Sequence, residues 1–105
     1  MFRDAVRDFA TSEIATRVEA ARLSTARLKD AGQPFLVPAA MAKLFSSEAA
    51  QRVFSVCIDL FGGYSFAREH PVEKLYHDTK IGTIYEGTSS MQKHTISETL
   101  MRETK

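Results

Sequence analysis

Glycine and proline are placed so that they divide this sequence into a few long helical segments. Only five glycines and three prolines occur among the 105 residues, whereas Ala, Leu, Arg, Lys and Glu, which favour helices, are plentiful. Gly32 follows the first long segment, and Gly62 and Gly63 follow the second. Glycine readily adopts the left-handed conformation found just beyond a helix end. We therefore expect a mostly helical chain with stops at these two points.

Residues 2–29 have the apolar spacing of one amphipathic helix. Their apolar side chains recur three or four positions apart and predict a single buried stripe, made of Phe2, Val6, Phe9, Ile14, Val18, Ala21, Thr25 and Leu28. Gly32 then ends the helix. The pattern begins without a capping residue, which we interpret as the sign of a segment that belongs to a longer protein.

Residues 33–37 form a short connector to a second long helix. Pro38 lies in its first turn, where a missing N–H costs nothing. The predicted apolar face consists of Met41, Leu44, Phe45, Ala49, Val53, Val56, Cys57 and Leu60. The predicted polar face consists of Lys43, Glu48, Gln51 and Arg52. Two long helices joined by a short loop are expected to pack antiparallel.

Residues 70–73 are predicted to start a third, shorter helix, with Pro71 at its first position. Its inward-facing residues are expected to be Val72, Leu75, Tyr76 and Thr79. Residues 81–85 are apolar and interrupted by glycine, and no second strand is available to pair with them. We therefore predict coil for this stretch.

The last helix is predicted to begin near Thr88. Its cap is either Thr88 itself or Ser89, which would form a capping box with Gln92. A modest inward stripe is formed by Met91, Thr95 or Ile96, and Leu100. The predicted fold class is all-α, an up-and-down four-helix bundle.

Bulk properties exclude several classes of protein. The formal net charge is +1 and the basic residues are dispersed, so a nucleic-acid-binding surface is not expected. No run is long and apolar enough to span a bilayer. The single cysteine, Cys57, rules out an internal disulfide framework and fits a reducing compartment. We interpret it as a small core residue.

Standard catalytic and metal-binding patterns are missing from the sequence. No two of the three histidines, His70, His77 and His94, are four residues apart on one helix, and no cysteine or paired carboxylate accompanies them. We therefore predict no metal site. Neither the Gly-x-Ser-x-Gly motif of esterases nor the Gly-rich phosphate-binding loop occurs.

Glu86 is the one acidic residue in an unusual setting. It follows Ile84 and Tyr85, precedes Gly87, and stands just before a predicted helix. A carboxylate among apolar neighbours is a stronger base, because desolvation disfavours its charged form. The alternative is that Glu86 only complements the positive end of the last helix. The residues by themselves leave both interpretations open.

Four runs in the second half resemble the C-terminal signature of flavin-dependent acyl-CoA dehydrogenases. They are residues 62–64 (Gly-Gly-Tyr), 70–76 (His-Pro-Val-Glu-Lys-Leu-Tyr), 78–81 (Asp-Thr-Lys-Ile) and 84–92 (Ile-Tyr-Glu-Gly-Thr-Ser-Ser-Met-Gln). Residues 19–23 and 39–45 are similar to the family's two long C-terminal helices. The ordered set covers essentially the whole chain and resembles the short/branched-chain members most.

The resemblance implies an FAD-dependent oxidoreductase that converts acyl-CoA to trans-2-enoyl-CoA, in fatty acid β-oxidation or branched-chain amino acid catabolism. Glu86 falls where most members keep the base that removes the α-proton, while the β-hydrogen leaves as hydride to the flavin. The backbone N–H of Glu86 would help to polarise the thioester carbonyl. Tyr85 and Gly87 would line the acyl pocket.

The resemblance also implies FAD contacts in two places. The region of Asp59, Gly62 and Gly63 would touch the adenosine-diphosphate half of a flavin held mainly by a neighbouring subunit. Thr88 and Ser90 would lie beside the subunit's own flavin. A second glycine at position 63 would let the backbone approach a dinucleotide closely. The sequence departs from the family where Asp59 replaces a usual glutamine, Ser65 a glycine, His77 an arginine and Ser90 a longer polar residue.

Residues 1–105 would correspond to a single domain of such a protein. The family's N-terminal helical domain and middle β-domain, which hold most of the flavin and acyl-CoA, lie outside this sequence, so we expect the bundle alone to be inactive. The implied partners are an electron-transfer flavoprotein and further copies in a homodimer or homotetramer. The implied compartment is the mitochondrial matrix in a eukaryote or the cytoplasm in a bacterium. The alternative function is a non-catalytic helical oligomerisation module from a truncated or diverged gene.

Overall fold

The computed structural model describes residues 4, 7–8 and 10–105. These residues contain four α-helices and no strand: α1 (Thr16–Asp30), α2 (Leu36–Phe61), α3 (Val72–Lys80) and α4 (Ser89–Glu103). Two short 3₁₀ turns, Gly62–Phe66 and Ile81–Thr83, precede α3 and follow it. The predicted all-α four-helix bundle is confirmed.

The first helix differs from the prediction at its start. A single π-helical turn, Ala10–Ala15, precedes α1, whereas an uninterrupted α-helix was expected. The Thr16 hydroxyl donates to the Thr11 carbonyl across this wider turn. Within α1 the predicted stripe is half-buried on one face, at Val18, Ala21, Thr25 and Leu28. Phe2, Val6 and Phe9 lie outside the described residues.

The end of α1 confirms the predicted role of Gly32. Its φ is +67°, in the left-handed region. The N–H of Gly32 donates to the Lys29 carbonyl, and the N–H of Gln33 donates to the Leu28 carbonyl. This pair of hydrogen bonds satisfies two carbonyls that a helix end leaves free, and it is the Schellman arrangement.

The central element of the bundle is α2, against which α1, α3 and α4 all pack. It begins at Leu36, so Pro38 lies in the first turn as predicted, and it ends at Phe61. Gly62 follows with φ +59° and ψ −135°, a backbone conformation open to glycine and strained for other residues. The predicted glycine stop is therefore confirmed.

Several side chains of the predicted apolar faces are exposed in this chain. They are Met41, Phe45, Val56 and Leu60 on α2, Leu75 on α3, and Met91 and Leu100 on α4. The inward orientation predicted for Leu75, Met91 and Leu100 is therefore wrong, whereas the apolar face predicted for α2 is exposed in part because α1, α3 and α4 leave part of that helix uncovered. Conversely, Lys43, Glu48 and Gln51 were assigned to the polar face and are half-buried.

The chain buries little for its size. Its accessible surface is 8045 Å², whereas a folded monomer of this size is expected to expose about 5,900 Å². Its radius of gyration is 16.6 Å, against about 13 Å for a compact domain of 100 residues. The only buried apolar side chains in the described part are Ala40 and Val72. A substantial apolar surface is therefore exposed in this chain.

Two predictions about the second half need correction. Residues 81–83 form a 3₁₀ turn rather than coil, since the N–H of Ile84 donates back to the Ile81 carbonyl. Helix α3 begins at Val72, and Pro71 is its cap rather than its first residue. Among the described residues, no helix has both the length and the apolar composition required to cross a membrane.

Candidate functional site

The loop between α3 and α4 holds Glu86 in an unusual backbone conformation. The N–H groups of Ile84 and Tyr85 both donate to the Ile81 carbonyl, at 2.9 and 3.0 Å, which fixes the start of the loop. Glu86 has φ +54° and is the only non-glycine residue with positive φ in the described part; Gly87 follows with φ +93°. A left-handed conformation costs a side-chain-bearing residue about 1–3 kcal/mol and persists only where the surroundings enforce it.

The start of α4 settles which residue caps the helix. The Thr88 hydroxyl accepts a hydrogen bond from the Met91 N–H at 3.2 Å, and Thr88 is extended while Ser89 is already helical. Thr88 is therefore the cap, and the capping box of Ser89 with Gln92 is wrong. Gln92 instead points its side chain back towards the loop.

Two side chains from different helices hold the backbone after Glu86. Lys43 of α2 donates from Nζ to the Gly87 carbonyl at 2.6 Å. Gln92 of α4 donates from Nε2 to the Glu86 carbonyl at 3.0 Å and, at 3.4 Å, to the Gly87 carbonyl. The loop is therefore tied both to the central helix and to the helix that follows it.

Glu86 lies at the edge of a cleft of about 360 Å³, named here the Glu86 cleft. It is lined by Lys43, Ser46, Ser47, Ala50, Asp78, Thr79, Ile81, Gly82, Tyr85 and Glu86. Of the cleft's two acids, Asp78 accepts a hydrogen bond from Lys74 at 2.8 Å, and this pairing raises the pKa of Lys74 above its ordinary 10.5. The Glu86 carboxylate has no hydrogen bond or ion pair to the described residues. It is the free acid of the cleft.

The apolar setting predicted for Glu86 is not complete within this chain. Glu86 is exposed, and Tyr85 beside it is 58% exposed. Gly87 is half-buried against the Gln92 side chain. The structure therefore brings the catalytic candidate Glu86 and the substrate-binding candidates Tyr85 and Gly87 together in one loop. Any desolvation of the carboxylate has to come from atoms that cover the cleft.

A second cleft, of about 490 Å³, contains two of the predicted cofactor residues. This Thr88 cleft is lined by Glu48, Gln51, Arg52, Lys80, Thr83, Thr88, Ser89 and Ser90. It combines the positive end of α4 with two cationic side chains, which suits a phosphate. Glu48 opposes them in charge, and its carboxylate lies 3.5 Å from Nζ of Lys93.

Gln51 lines this cleft, and both polar atoms of its amide are buried without a hydrogen-bond partner among the described residues. A buried polar group without a partner costs about 1–3 kcal/mol. Because these two atoms have almost no accessible surface, a ligand in the cleft would be contacted by Arg52, Lys80 and the start of α4, and these groups fit a phosphate.

The other predicted cofactor residues lie elsewhere. Gly62 and Gly63 follow the end of α2, about 16 Å along the helix axis from Arg52 at a rise of 1.5 Å per residue. Asp59 is exposed on the last turn of α2. The structure therefore does not bring Asp59, Gly62 and Gly63 together with Thr88 and Ser90 in one cleft.

The turn at Gly62 and Gly63 is hydrogen-bonded on its inner side and open on its outer side. The buried Ser65 hydroxyl donates to the Gly62 carbonyl at 2.6 Å, and His70 packs on Tyr64 with ring centroids 5.7 Å apart. A Cβ on Gly63 would meet no atom within 4 Å, and its φ is not positive. Nothing in the described chain therefore requires glycine at position 63.

Sequence reasoning missed the two residues that hold the loop. Lys43 was assigned to the polar face of α2, and Gln92 only to a capping box. The one signal for Lys43 is that it interrupts residues 39–45, which are otherwise all apolar. Separately, no group of three or more His, Cys, Asp or Glu side chains in the described part could hold a metal ion.

Comparison with known proteins gives consistent matches. The family model "Acyl-CoA dehydrogenase, C-terminal domain" matches residues 2–101. A short/branched chain specific acyl-CoA dehydrogenase of Rattus norvegicus is 50% identical over 90 residues, which cover 83% of this chain and 21% of the rat protein. The chain thus spans about a fifth of that relative's length.

Two solved structures have the same fold. Butyryl-CoA dehydrogenase from Megasphaera elsdenii matches with a TM-score of 0.73 and 37% identity, over 90% of this chain and 25% of that one. A structure named for the electron transferring flavoprotein of Acidaminococcus fermentans matches with a TM-score of 0.73 and 38% identity, over 90% and 26%. The chain therefore belongs to the acyl-CoA dehydrogenase family and is a C-terminal domain of that family.

Proposed function

We propose that this chain is the base-bearing domain of an FAD-dependent acyl-CoA dehydrogenase, which oxidises acyl-CoA to trans-2-enoyl-CoA. Membership of the family supports the reaction class. The observation that carries the residue assignment is Glu86: a free carboxylate at the edge of a cleft, held on a left-handed backbone by two other helices.

In this proposal Glu86 takes the α-proton of the substrate onto its carboxylate. Its backbone N–H donates to the thioester carbonyl and stabilises the enolate-like charge that develops there. Tyr85 contacts the acyl chain, and Gly87 leaves space for the thioester. Bound FAD supplies the acceptor for the β-hydride. Because Glu86 is exposed in the chain alone, the covering substrate and cofactor would desolvate it and make it a stronger base.

FAD would be held in two places. Thr88 and Ser90, with Arg52 and Lys80, would bind a phosphate-bearing part of the subunit's own FAD at the positive end of α4. Gly62 and Gly63 would let the backbone approach the adenosine-diphosphate part of a neighbouring subunit's FAD. The negative charge of Asp59 would weaken that second contact if the carboxylate faced a phosphate.

The acyl group is proposed to be short or short and branched, as in the name of the rat relative. The proposed electron acceptor is an electron-transfer flavoprotein, and the similarity to a structure named for such a protein in Acidaminococcus fermentans supports this pairing. The compartment would be the mitochondrial matrix in a eukaryote, as for the rat relative, or the cytoplasm in a bacterium.

The test of this function is Glu86→Gln in the full-length protein. The amide keeps the shape of the side chain but cannot take a proton, so turnover of butyryl-CoA or 2-methylbutyryl-CoA should fall at least about 1,000-fold. Glu103→Gln, an exposed acid at the end of α4, is the matched control and should retain activity. Undiminished turnover by purified, flavin-loaded Glu86→Gln would disprove the assignment of the base.

The exposed apolar surface favours a second candidate, a non-catalytic oligomerisation module. The excess of roughly 2,100 Å² over a typical monomer is within the range buried by obligate interfaces. The two candidate functions predict different coding sequences upstream of this chain. Only the enzyme requires an N-terminal helical domain and a middle β-domain there. The two functions differ also in flavin content, since a module of this kind has no use for the Thr88 cleft.

A further inference from the structure

The backbone carbonyl groups of Glu86 and Gly87 accept hydrogen bonds from side chains of two helices, α2 and α4. The Gly87 oxygen accepts from Nζ of Lys43 at 2.6 Å and from Nε2 of Gln92 at 3.4 Å. The Glu86 oxygen accepts from the same Gln92 atom at 3.0 Å. The two donor residues are 49 positions apart in the sequence, so only the fold brings them to this loop.

We infer that Lys43 and Gln92 are positioning residues that hold Glu86 in the orientation needed for proton abstraction. This inference rests on the proposed function, since it concerns the same base. The two carbonyls belong to the peptide planes before and after the Gly87 Cα, so the hydrogen bonds to them fix the loop on the C-terminal side of Glu86. On the N-terminal side, the N–H groups of Ile84 and Tyr85 are bonded to the Ile81 carbonyl. Glu86 is thus held between two restrained segments, and with it the directions of its side chain and of its N–H.

The need for such a restraint follows from the backbone itself. Glu86 at φ +54° adopts a conformation that a free loop would leave for a more favourable one, whereas the φ of +93° at Gly87 is readily adopted by glycine. A charge-assisted hydrogen bond from a half-buried ammonium is stronger than one between neutral groups. Lys43 therefore supplies a restraint of the size that the strained loop requires.

Helix stabilisation does not account for this arrangement. The start of a helix leaves N–H groups without partners, whereas Lys43 and Gln92 donate to carbonyl groups ahead of the cap. The positive end of α4 also disfavours a cation beside it. Lys43 is nevertheless placed there, 2.6 Å from the carbonyl of the residue before Thr88. Its effect is on the loop that carries Glu86.

The test is made in the full-length, flavin-loaded enzyme with Lys43→Met, which keeps the length of the side chain and removes the donor. We expect kcat to fall about 10- to 100-fold, the loss associated with misplacing a catalytic group by about 1 Å. The KM for butyryl-CoA should change less than threefold. The kinetic isotope effect with α-deuterated butyryl-CoA should increase, because proton abstraction becomes slower relative to other steps.

Other variants separate positioning from general damage. Lys43→Arg keeps a cationic donor and should recover part of the loss. Gln92→Leu should also lower kcat, and its effect should not add to that of Lys43→Met, since both donors share the Gly87 carbonyl. Lys93→Met is the matched control: it removes a lysine that links α4 to Glu48 of α2 without touching the loop, and it should retain kcat.

Two results would overturn the inference. One is an unchanged kcat per bound flavin in Lys43→Met; the other is a loss confined to flavin content and melting temperature, which a merely structural role would produce. Should Lys43→Met fail to fold, Lys43→Gln removes the same ammonium and is judged in the same way. Glu86→Gln tells the two proposals apart, because a fully active Glu86→Gln disproves the proposed base, whereas an inactive one with a normal Lys43→Met disproves the positioning role alone.

Discussion

The Nε2 atom of Gln92 lies 2.7 Å from the point where a Cβ on Gly87 would stand. A side chain at position 87 would displace the end of the Gln92 side chain from the loop. Gly87 is therefore favoured by its positive φ and is needed if Gln92 is to keep its hydrogen bonds to the loop. The family resemblance explains the same glycine by space for a thioester, which is a separate requirement.

Gly87→Ala should accordingly lower both stability and turnover. A left-handed alanine costs about 1–3 kcal/mol in the free energy of unfolding, and the displaced Gln92 loses its bonds to the loop. Urea denaturation of the purified chain measures the first effect. Gly82→Ala is the control, because its Cβ would lie 3.6 Å from the Ser47 Cβ, an ordinary contact. Equal stability of the two variants would contradict the strain argument.

Thr88→Ala should destabilise the chain by about 1 kcal/mol, the usual loss for a helix cap. Ser89→Ala should be nearly neutral, because Ser89 is the first helical residue and makes no capping bond. Thr88→Ser should restore most of the stability, since its hydroxyl can accept from the Met91 N–H. Thermal melts of the three variants measure this order. A larger loss of stability in Ser89→Ala than in Thr88→Ala would contradict the assignment of Thr88 as the cap and favour the capping box of Ser89 with Gln92.

Substitution of the two adjacent glycines should have different consequences. Gly62→Ala should destabilise the fold, because its φ of +59° is strained for alanine. Gly63→Ala should leave the melting temperature unchanged, as its Cβ would meet open space, and should weaken FAD binding in the full-length oligomer. Flavin titration followed by fluorescence measures the affinity. An unchanged FAD affinity in Gly63→Ala would disprove the proposed contact between this turn and a neighbouring subunit's FAD.

The isolated 105-residue chain should form a colourless oligomer when purified with added FAD. Its exposed apolar surface would provide the association energy, while most of the flavin site is expected to lie in domains outside these residues. Light scattering gives the mass, and the flavin absorbance of the purified chain gives the FAD content. A yellow chain with one FAD per copy would show that the Thr88 cleft and the Gly62–Gly63 turn suffice for binding. A monomer would contradict the association argument.

Local features of the fold were predictable because each is decided by neighbours in the sequence. Gly32 and Gly62 end their helices because glycine alone adopts those backbone angles cheaply. The half-buried stripe of α1 follows from a period of three to four residues, and Thr88 was one of two candidate caps. The ordered motifs of residues 62–92 were specific enough to indicate the family, which the comparisons confirm.

Burial along α2 was less predictable, because it depends on which faces the other helices cover. Met41 and Phe45 have the spacing of core residues and are exposed. Lys43 has the character of a surface residue and is half-buried. Periodicity identifies an apolar face, but the area actually covered is a property of the packed assembly.

The sequence by itself determined the helices, their stops, the family and the identity of Glu86 as the unusual acid. Only the tertiary structure decided that Glu86 has a left-handed backbone and that Lys43 and Gln92 hold it. The physical reason is distance along the chain: propensity and capping act within a few residues, whereas Lys43 and Gly87 are 44 residues apart. A hydrogen bond between them exists only once α2 and α4 are packed.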